Sequence, residues 1–506
     1  MSDEVKRFRR RYDEAKRIRD LSAAVIDSCY EYALPLRQRT YMMTGQQLRT
    51  DRLFDGTAVT ALQGLASQTL DDVWPADQTP FELKSGLKDE GRREEANRIL
   101  AAISQQIIDL TNNSNFRSAA HEMLLDWGIG TGFMTVNRGT VLTPLEFQAL
   151  PLTEVVADLG PFGRVDFLTR EREVRAGEIE VMWPGATIPA ELRRRIEQNP
   201  DQKVKVLEGE ERDWTVRNEE AWLFRVVWDG EMLLRRRAQG IGSCSFVAPS
   251  FSRVSGETLG RGPAMMALPD IRVANELKEI LLEHADLILS GMFQYDDDGV
   301  FNPDTAELGP GALIPRASGS RGLEPLEIPS DLRVADLQLS ETQAQIREAM
   351  FVNDLGDLGK TPRSATEVMQ RTADRARRLA GAYGRLLTEW LFPQVARTWW
   401  LLRDMNGARD LPPIDGDRIR VRPLSPLTRA QAQDDILRHL RFLEILPMAG
   451  GPQASLLMVD QDKFAPWLAE KVGFNPTLLR PQIKREALAA QVAQLMAAQG
   501  AGMVGQ

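Results

Sequence analysis

The chain has 506 residues, a length typical of two to four domains. Hydrophobic residues make up 43% of the sequence and charged residues 27%, with 38 Gly and 28 Pro, and these near-average values exclude a collagen-like, low-complexity or largely disordered protein. The net charge of −9 excludes a polycation that coats DNA, so any contact with nucleic acid must be local or loose.

Helical periodicity dominates the first quarter of the sequence. Apolar residues at three- and four-residue steps predict a helix over 5–34, which Pro35 ends. Its opposite face is basic, and we interpret this face as a solvated surface, with contact to a membrane, a nucleic acid or an acidic partner as the alternatives. Further helices are predicted at 54–73, 89–114 and 116–127, with a short strand at 81–83.

The pattern changes to strands between about 131 and 250, where the turns are rich in Gly and Pro. Predicted strands lie at 132–137, 145–149, 155–158, 167–173, 220–228 and 231–237. One short helix, 190–198, interrupts them. The expected fold class is therefore α+β, mostly helical.

The helical period returns after Pro263. It predicts helices at 264–290 and 334–353, separated by an insert, 291–333, that is dense in turn residues. A loop over 354–363 follows the second of these helices.

A long helix is predicted to begin at Ser364, where Ser-Ala-Thr-Glu has the spacing of a capping box. Pro393 should kink this helix before it ends near Leu402, because proline removes a backbone donor and crowds the carbonyl four residues back. The remaining predicted elements are a strand at 418–422 and helices at 428–445, 452–471 and 476–498.

No nucleotide-binding motif in the sequence is complete. Gly359-Lys360-Thr361 resembles the end of a P-loop, but Asp354 stands where the phosphate cradle needs a glycine. The glycines of 128–132 follow a helix and precede a strand, the reverse of a dinucleotide-binding loop. We therefore expect a helix end and a turn there.

Metal-binding and catalytic patterns are also incomplete. His121-Glu122 lacks the second histidine of a zinc protease helix, and the aspartates at 296–298 lack the alternating spacing of an EF-hand. Cys29 and Cys244 are too few for a disulfide framework or a cysteine-based metal site, and they suggest small buried residues in a reducing compartment. We predict no catalytic, cofactor-binding or metal-binding residues.

The sequence also shows no signal for secretion or membrane insertion. The charged residues 1–7 predict no secretory signal, and the lack of any run of about 20 apolar residues predicts no membrane span.

Four stretches of the sequence, in this order, resemble one protein family. They are 52–58 (RLFDGTA) with its continuation to 81–83, 127–132 (WGIGTG), 260–263 (GRGP) with 267–271 (ALPDI) and 275–277 (NEL), and 363–368 (RSATEV). Each is a weak pattern alone, but the ordered set resembles the portal, or head-to-tail connector, proteins of tailed bacteriophages of the short-tailed type.

The resemblance implies a portal fold that assembles as a ring of twelve copies around a central channel at one capsid vertex. Carried onto this sequence, its parts are the wing at 1–260 and 364–425, the stem helices at 264–290 and 334–353, the clip at 291–333, the tunnel loop at 354–363 and the crown at 426–506.

The resemblance also implies which residues contact DNA and partners. The tunnel-loop residues that would face the DNA channel are Gly356, Asp357, Gly359, Lys360 and Arg363. The clip residues that would contact partners are Asp296, Asp297, Asp298, Phe301, Arg316 and Arg321. A structural alternative is that Arg363 only pairs with a carboxylate of its own wing, such as Glu367.

The implied function is a channel for DNA packaging and ejection, without enzyme activity and without a cofactor. The implied partners are further copies of the chain, double-stranded DNA bound without sequence preference, the packaging terminase, a tail adaptor, and the major capsid and scaffolding proteins. No membrane is expected as a stable partner. The implied location is the portal vertex of the virion, after assembly in the cytoplasm of a bacterial host.

The net charge is compatible with such a conduit, since each neutralised phosphate adds affinity and slows sliding. Twelve copies at −9 each carry a formal charge of −108, so we expect assembly to depend on salt.

Two alternative functions remain open from the sequence. One is a soluble α+β enzyme with an unrecognised carboxylate site, and the other is a peripheral membrane or scaffold protein that docks through helix 5–34.

Overall fold

The computed structural model describes most of the chain up to residue 424. The described residues are 2–37 and 52–424 without 77, 218, 291–292, 296–322, 326–332, 353–377, 406 and 408–410, together with 439, 441–446, 464 and 468. The predicted tunnel loop, most of the predicted clip and nearly all of the predicted crown lie outside these residues.

The N-terminal segment forms two helices, α1 (Asp3–Asp20) and α2 (Ala23–Ala33), so the prediction of one continuous helix is wrong. The helix breaks because its two halves bury their apolar faces in different cores. Val5, Phe8 and Tyr12 pack on a sheet, whereas α2 packs against other helices. At the break, Ser22 donates to the carbonyl of Arg19, only three residues back (2.9 Å).

A helical layer follows, formed by α3 (Thr57–Val73), α4 (Glu90–Asn112) and α5 (Phe116–Ile129). The three predicted helices are confirmed with shifts of a few residues at their ends. The strand β1 (Phe81–Ser85) lies between α3 and α4 and pairs antiparallel with the late strand β12 (Ile419–Pro423). The core beside them is aromatic, with the rings of Trp74 and Phe116 4.9 Å apart.

Two antiparallel sheets form the middle of the chain. The three-stranded sheet has the order β3-β2-β9, and the five-stranded sheet has the order β4-β5-β6-β7-β8. Their strands are β2 (Phe133–Arg138), β3 (Leu145–Leu150), β4 (Val155–Leu159), β5 (Val165–Arg175), β6 (Lys203–Arg212), β7 (Ala221–Trp228), β8 (Glu231–Gln239) and β9 (Phe246–Val247).

Strand β6 is the central strand that the sequence did not predict. Its second half reads Leu-Glu-Gly-Glu-Glu, a composition that disfavours strands. The neighbouring strands supply arginines that pair with these carboxylates, as Arg170 does with Glu208 (2.5 Å) and Arg225 with Glu211 (2.6 Å). The short helices α6 (Ile179–Met182) and α7 (Ala190–Gln198) cover one end of this sheet.

A helix hairpin then leaves the body. It begins with the short helix α8 (Pro263–Met266), continues as α9 (Leu268–Ser290), and returns as α10 (Arg333–Ala349). Beyond the far ends of α9 and α10, the strands β10 (Phe293–Tyr295) and β11 (Leu323–Pro325) pair antiparallel. Helices are thus present where 264–290 and 334–353 predicted them, but the first is interrupted at Ala267 and the second ends at Ala349.

The last long helix is described from residue 378 onward. It consists of α11 (Ala380–Leu386), a π-helical turn (Leu387–Leu391) and α12 (Phe392–Met405). The π-helical turn lies just before Pro393, the residue at which the sequence predicts a kink.

Candidate functional site

The base of the helix hairpin is held by the side chain of Asn275 on α9. Its oxygen accepts from the backbone N–H groups of Phe54 (2.7 Å) and Asp55 (3.1 Å). Its amide group donates to the carbonyl of Arg52 (2.9 Å). Asn275 is only 6% exposed, so these bonds form away from water, where an unpaired backbone group is costly.

Asp55 links this segment to both helices of the hairpin and to α3. One carboxylate oxygen accepts from the backbone N–H of Thr57 (2.9 Å), which caps the start of α3. The other accepts from the side-chain amide of Gln343 on α10 (2.5 Å). Asn275 lies early in α9 and Gln343 lies late in α10, so the two helices run antiparallel with both base ends fixed to one short segment.

The entry to the hairpin is a contact between two glycine-rich backbones. Gly262 donates to the carbonyl of Ile129 (2.7 Å), and Gly260 donates to the hydroxyl of Thr131 (2.7 Å). A Cβ atom on Gly262 would lie 2.3 Å from the carbonyl oxygen of Gly128, so only glycine fits. The run at 128–132 is therefore a helix end and turn that packs against the hairpin entry, as the sequence predicted.

A buried carboxyl group lies beneath this contact. Tyr30 on α2 donates to Asp126 on α5 (2.7 Å), and Arg37 lies 3.5 Å from the second carboxylate oxygen of Asp126. Arg37 also forms an ion pair with Glu122 (2.7 Å). Full burial raises the pKa of Asp126 to about 6, an effect that the positive charge of Arg37 partly opposes.

Glu389 of the π-helical turn fixes the loop that leads to the hairpin. One of its oxygens accepts from both the backbone N–H (2.9 Å) and the hydroxyl (2.8 Å) of Ser250. The other forms ion pairs with Arg385 (3.5 Å) and Arg253 (3.7 Å). A π-helical turn presents its side chains out of the ordinary helical register, and such turns are frequent at functional sites.

The structure describes the flanks of the predicted site residues but not the residues themselves. The tunnel-loop residues Gly356, Asp357, Gly359, Lys360 and Arg363 and the clip residues Asp296, Asp297, Asp298, Phe301, Arg316 and Arg321 all lie outside the described residues. On the body side, Phe351 packs its ring on Phe251 (6.0 Å) just before the loop. At the far end, the β10–β11 pair brings the two flanks of the insert together.

Sequence reasoning missed the residues that hold the hairpin. Asn275 and Asp55 stood within the stretches of the resemblance, but nothing indicated that they touch. Gln343 and Glu389 carried no signal, because a contact between residues far apart in the sequence leaves no periodic pattern. An acidic residue two positions before α3 was the one usable hint, since it is typical of a helix start.

The described residues include neither a metal-binding group of side chains nor a membrane-spanning helix. No group of three or more His, Cys, Asp or Glu side chains among them could hold a metal ion. Across the same ranges, no helix combines the length and apolar character that a bilayer span requires. Burial raises the pKa of the Cys29 thiol to about 12 and that of Cys244 well above its usual value, so neither is a reactive thiolate.

The glycine contact and the Asn275 hydrogen bonds bring together the stretches 52–58, 127–132 and 260–277, which carried the resemblance in the sequence. A comparison with known protein families shows which family they belong to. A family model described as bacteriophage head to tail connecting protein matches residues 5–479. The chain belongs to this family. The predicted resemblance is confirmed, and the connector is a structural, non-enzymatic phage component of the virion portal vertex.

Individual relatives share little sequence identity with this chain. A probable portal protein of Bordetella phage BPP-1 is 23% identical, over 94% of this chain and 89% of that protein. A solved structure of the virion of a native gene transfer agent particle has a TM-score of 0.38 and 13% identity, and covers 82% of this chain and 90% of that chain. The neck of the native particle, computed with C12 symmetry, has a TM-score of 0.34 and 13% identity, with 79% and 90% covered.

Family membership decides between the alternatives that the sequence left open. The enzyme alternative is set aside because the family is structural. For the membrane alternative, Phe8 and Tyr12 of α1 are buried against the five-stranded sheet, whereas Ile18, Leu21 and Val25 around the helix break are exposed. Arg11, on the supposed basic face, forms ion pairs with Asp158 (2.9 Å) and Glu211 (3.0 Å) of that sheet.

Proposed function

We propose that twelve copies of the connector form a ring at one capsid vertex, and that double-stranded DNA passes through its channel during packaging and ejection. The ring would bind the packaging terminase and later a tail adaptor, and the major capsid and scaffolding proteins would surround it. Assembly would take place in the cytoplasm of the bacterial host. The portal family match supports this proposal, and the fixed base of the helix hairpin is the observation that carries it.

The outward faces of the hairpin support packing against further copies. Large apolar residues are exposed there, with 53% exposure at Ile280, 76% at Val334 and 70% at Leu337. Exposed apolar residues on neighbouring helices favour burial against another surface. In a ring, each hairpin would act as a stem and would bury these residues between its two neighbours.

The loop 354–363 and the insert 291–333 would act at opposite ends of the stem. Phe351 and Val352, which precede the loop 354–363 in the sequence, pack against the core of the body. We propose it as the tunnel loop, in which Lys360 and Arg363 touch passing phosphates loosely. The β10–β11 pair lies at the far end, and we propose the insert 291–333 as the clip, where the acidic run at 296–298 would meet the terminase and the tail adaptor.

The mass and shape of the purified chain test this proposal. The particle should have twelve times the subunit mass of 56.7 kDa, and negative-stain images should show a central hole. The double variant Val334→Asp with Leu337→Asp should reduce the yield of rings, because it places charge in the proposed contact. Glu341→Gln, an exposed change on the same helix, is the matched control. A stable species of one to four copies under varied salt and concentration would contradict the ring.

A further inference from the structure

A wide cleft lies between the two sheets, away from the hairpin. The five-stranded sheet forms one wall, the β2–β3 pair forms the second, and α12 closes the end with Arg397 and Trp400. The cleft volume is about 1860 Å³. Pockets for small molecules hold about 300 to 1,000 Å³, so this cleft has room for a longer ligand.

Charged side chains on the floor of the cleft are paired with one another. Arg170 and Arg172 both contact Glu208, at 2.5 and 3.3 Å. On the same face, Arg212 pairs with Glu220 (3.1 Å). The floor is therefore polar, and each of these two carboxylates is already bound by at least one arginine.

The rim of the cleft differs from the floor, because its arginines have no partner of their own within the described part of the chain. Arg138, Arg164 and Arg217 line the cleft and are exposed. Within the described ranges, none of the three side chains forms a hydrogen bond or an ion pair. Each holds a full positive charge at the mouth of a concave surface, where it is available to an anionic group.

Two exposed aromatic rings stand beside these arginines. Phe162 is 79% exposed and Trp214 is 42% exposed, and their ring centres are 5.7 Å apart. The indole N–H of Trp214 donates to Asp166 (2.8 Å), and the guanidinium of Arg212 lies over its ring (4.7 Å), so this ring is held in place. Aromatic residues and arginine are the residue types that dominate protein–protein binding energy.

We propose that this cleft binds an extended acidic segment of a partner polypeptide. Carboxylate side chains of that segment would pair with Arg138, Arg164 and Arg217, and an apolar side chain would pack on the Phe162–Trp214 pair. Its backbone N–H groups could donate to the carboxylates of the floor, which a nucleic acid backbone could not do. The proposal concerns this cleft alone and does not depend on ring formation or on passage of DNA.

Fluorescence anisotropy of the full chain with a labelled twelve-residue peptide of Asp, Glu and Tyr tests the proposal. We expect saturable binding that weakens as salt increases, and about tenfold weaker binding by the Arg164→Glu, Arg217→Glu double variant. Phe162→Ala should also weaken binding. Both arginines are exposed and unpaired in the described structure, so the double variant should fold normally, which its circular dichroism spectrum would check.

The matched control is Arg9→Glu with Arg10→Glu, which changes the net charge equally on the exposed face of α1. This variant should bind the peptide like the unmodified chain. Equal losses in both double variants would overturn the proposal, since binding would then reflect net charge alone. Absence of peptide binding would overturn it as well. A twelve-nucleotide single strand that bound more tightly than the peptide, and lost binding with the rim variant, would replace it with a nucleic-acid site.

Discussion

Arg397 on α12 donates to the backbone carbonyl of Val136 on β2, with 3.1 Å between Nε and O. Its Nη1 atom donates to the carbonyl of Ser243 (3.0 Å), and its side chain is almost fully buried. The guanidinium of Arg397 thus satisfies backbone carbonyl groups of β2 and of the segment that leads into the short strand β9. Burial lowers the pKa of Arg397, and the charge of the buried Glu210 opposes that shift.

Replacement of Arg397 by Met should destabilise the body strongly. It removes a charged donor from the backbone carbonyls of Val136, Gly242 and Ser243, at a cost of about 3 kcal/mol. Thermal unfolding should show a lower midpoint than that of the unmodified chain. Arg403→Met, on the same helix, gives a comparison of arginine removal from a less buried position. Equal midpoints for Arg397→Met and the unmodified chain would show that the contacts are not needed.

Asp126 should make stability depend on pH. Its folded pKa of about 6 lies above its ordinary value of 3.8, so its contribution to stability is fully present below pH 3.8 and is lost as the pH rises through 6. Asp126→Asn does not ionise, so its stability relative to the unmodified chain should rise between pH 4 and 7 by an amount on the order of 3 kcal/mol. Unfolding midpoints across this range measure the difference, with the exposed Asp13→Asn as control. A constant difference would rule out titration of Asp126.

Asn275→Ala should loosen the base of the hairpin. It leaves two backbone N–H groups and one carbonyl without their side-chain partner, at a cost of about 1 to 3 kcal/mol. We expect faster proteolysis near 52–55 and a lower yield of the twelve-copy particle. Glu276→Gln, the exposed neighbouring change, should alter neither. Normal protection of 52–55 in Asn275→Ala would show that other contacts suffice.

Gly262→Ala should prevent the glycine-rich contact at the hairpin entry from closing. The added Cβ would lie 2.3 Å from the carbonyl oxygen of Gly128, and backbone atoms on both sides cannot move aside independently. Soluble yield and the unfolding midpoint should both fall. Gly381→Ala is the control, since its Cβ meets no atom within 4 Å and alanine favours the helix. Similar behaviour of the two variants would contradict the close packing.

Ring assembly should respond to ionic strength. Subunits of charge −9 repel one another, and the screening length falls from about 30 Å at 0.01 M salt to about 8 Å at 0.15 M. The yield of the twelve-copy particle should therefore rise over this range, as native mass measurements would record. A yield that is indifferent to salt would exclude this electrostatic account.

The periodic elements could be predicted from the sequence, and the contacts between them could not. Helices α3, α5 and α9 follow from apolar spacing, because each buries one continuous stripe. The break in 5–34 was missed because both halves keep the same period while they face different cores. Strand β6 was missed because its carboxylates are favourable only beside Arg170 and Arg225, which come from other strands.

The candidate site divides in the same way. The glycines at 128–132 were recognisable as a helix end and turn, whereas those at 260–262 stood out only as part of the resemblance. Their mutual contact was not, because the two runs lie far apart in the sequence and nothing local encodes their proximity. The roles of Gln343 and Glu389 likewise depend on where the antiparallel return of α10 and the π-helical turn place them.

The close contact between Gly260–Gly262 and Gly128–Gly130, together with the hydrogen bonds of Asn275, attaches the hairpin to the body near its base. Beyond Asn275, α9 continues for 15 residues to Ser290, which at 1.5 Å per residue is about 22 Å. A tilt of about 10° at the base therefore carries the far end of α9 through about 4 Å. A small change of tilt at the base thus becomes a displacement of several ångströms at the far end of the hairpin.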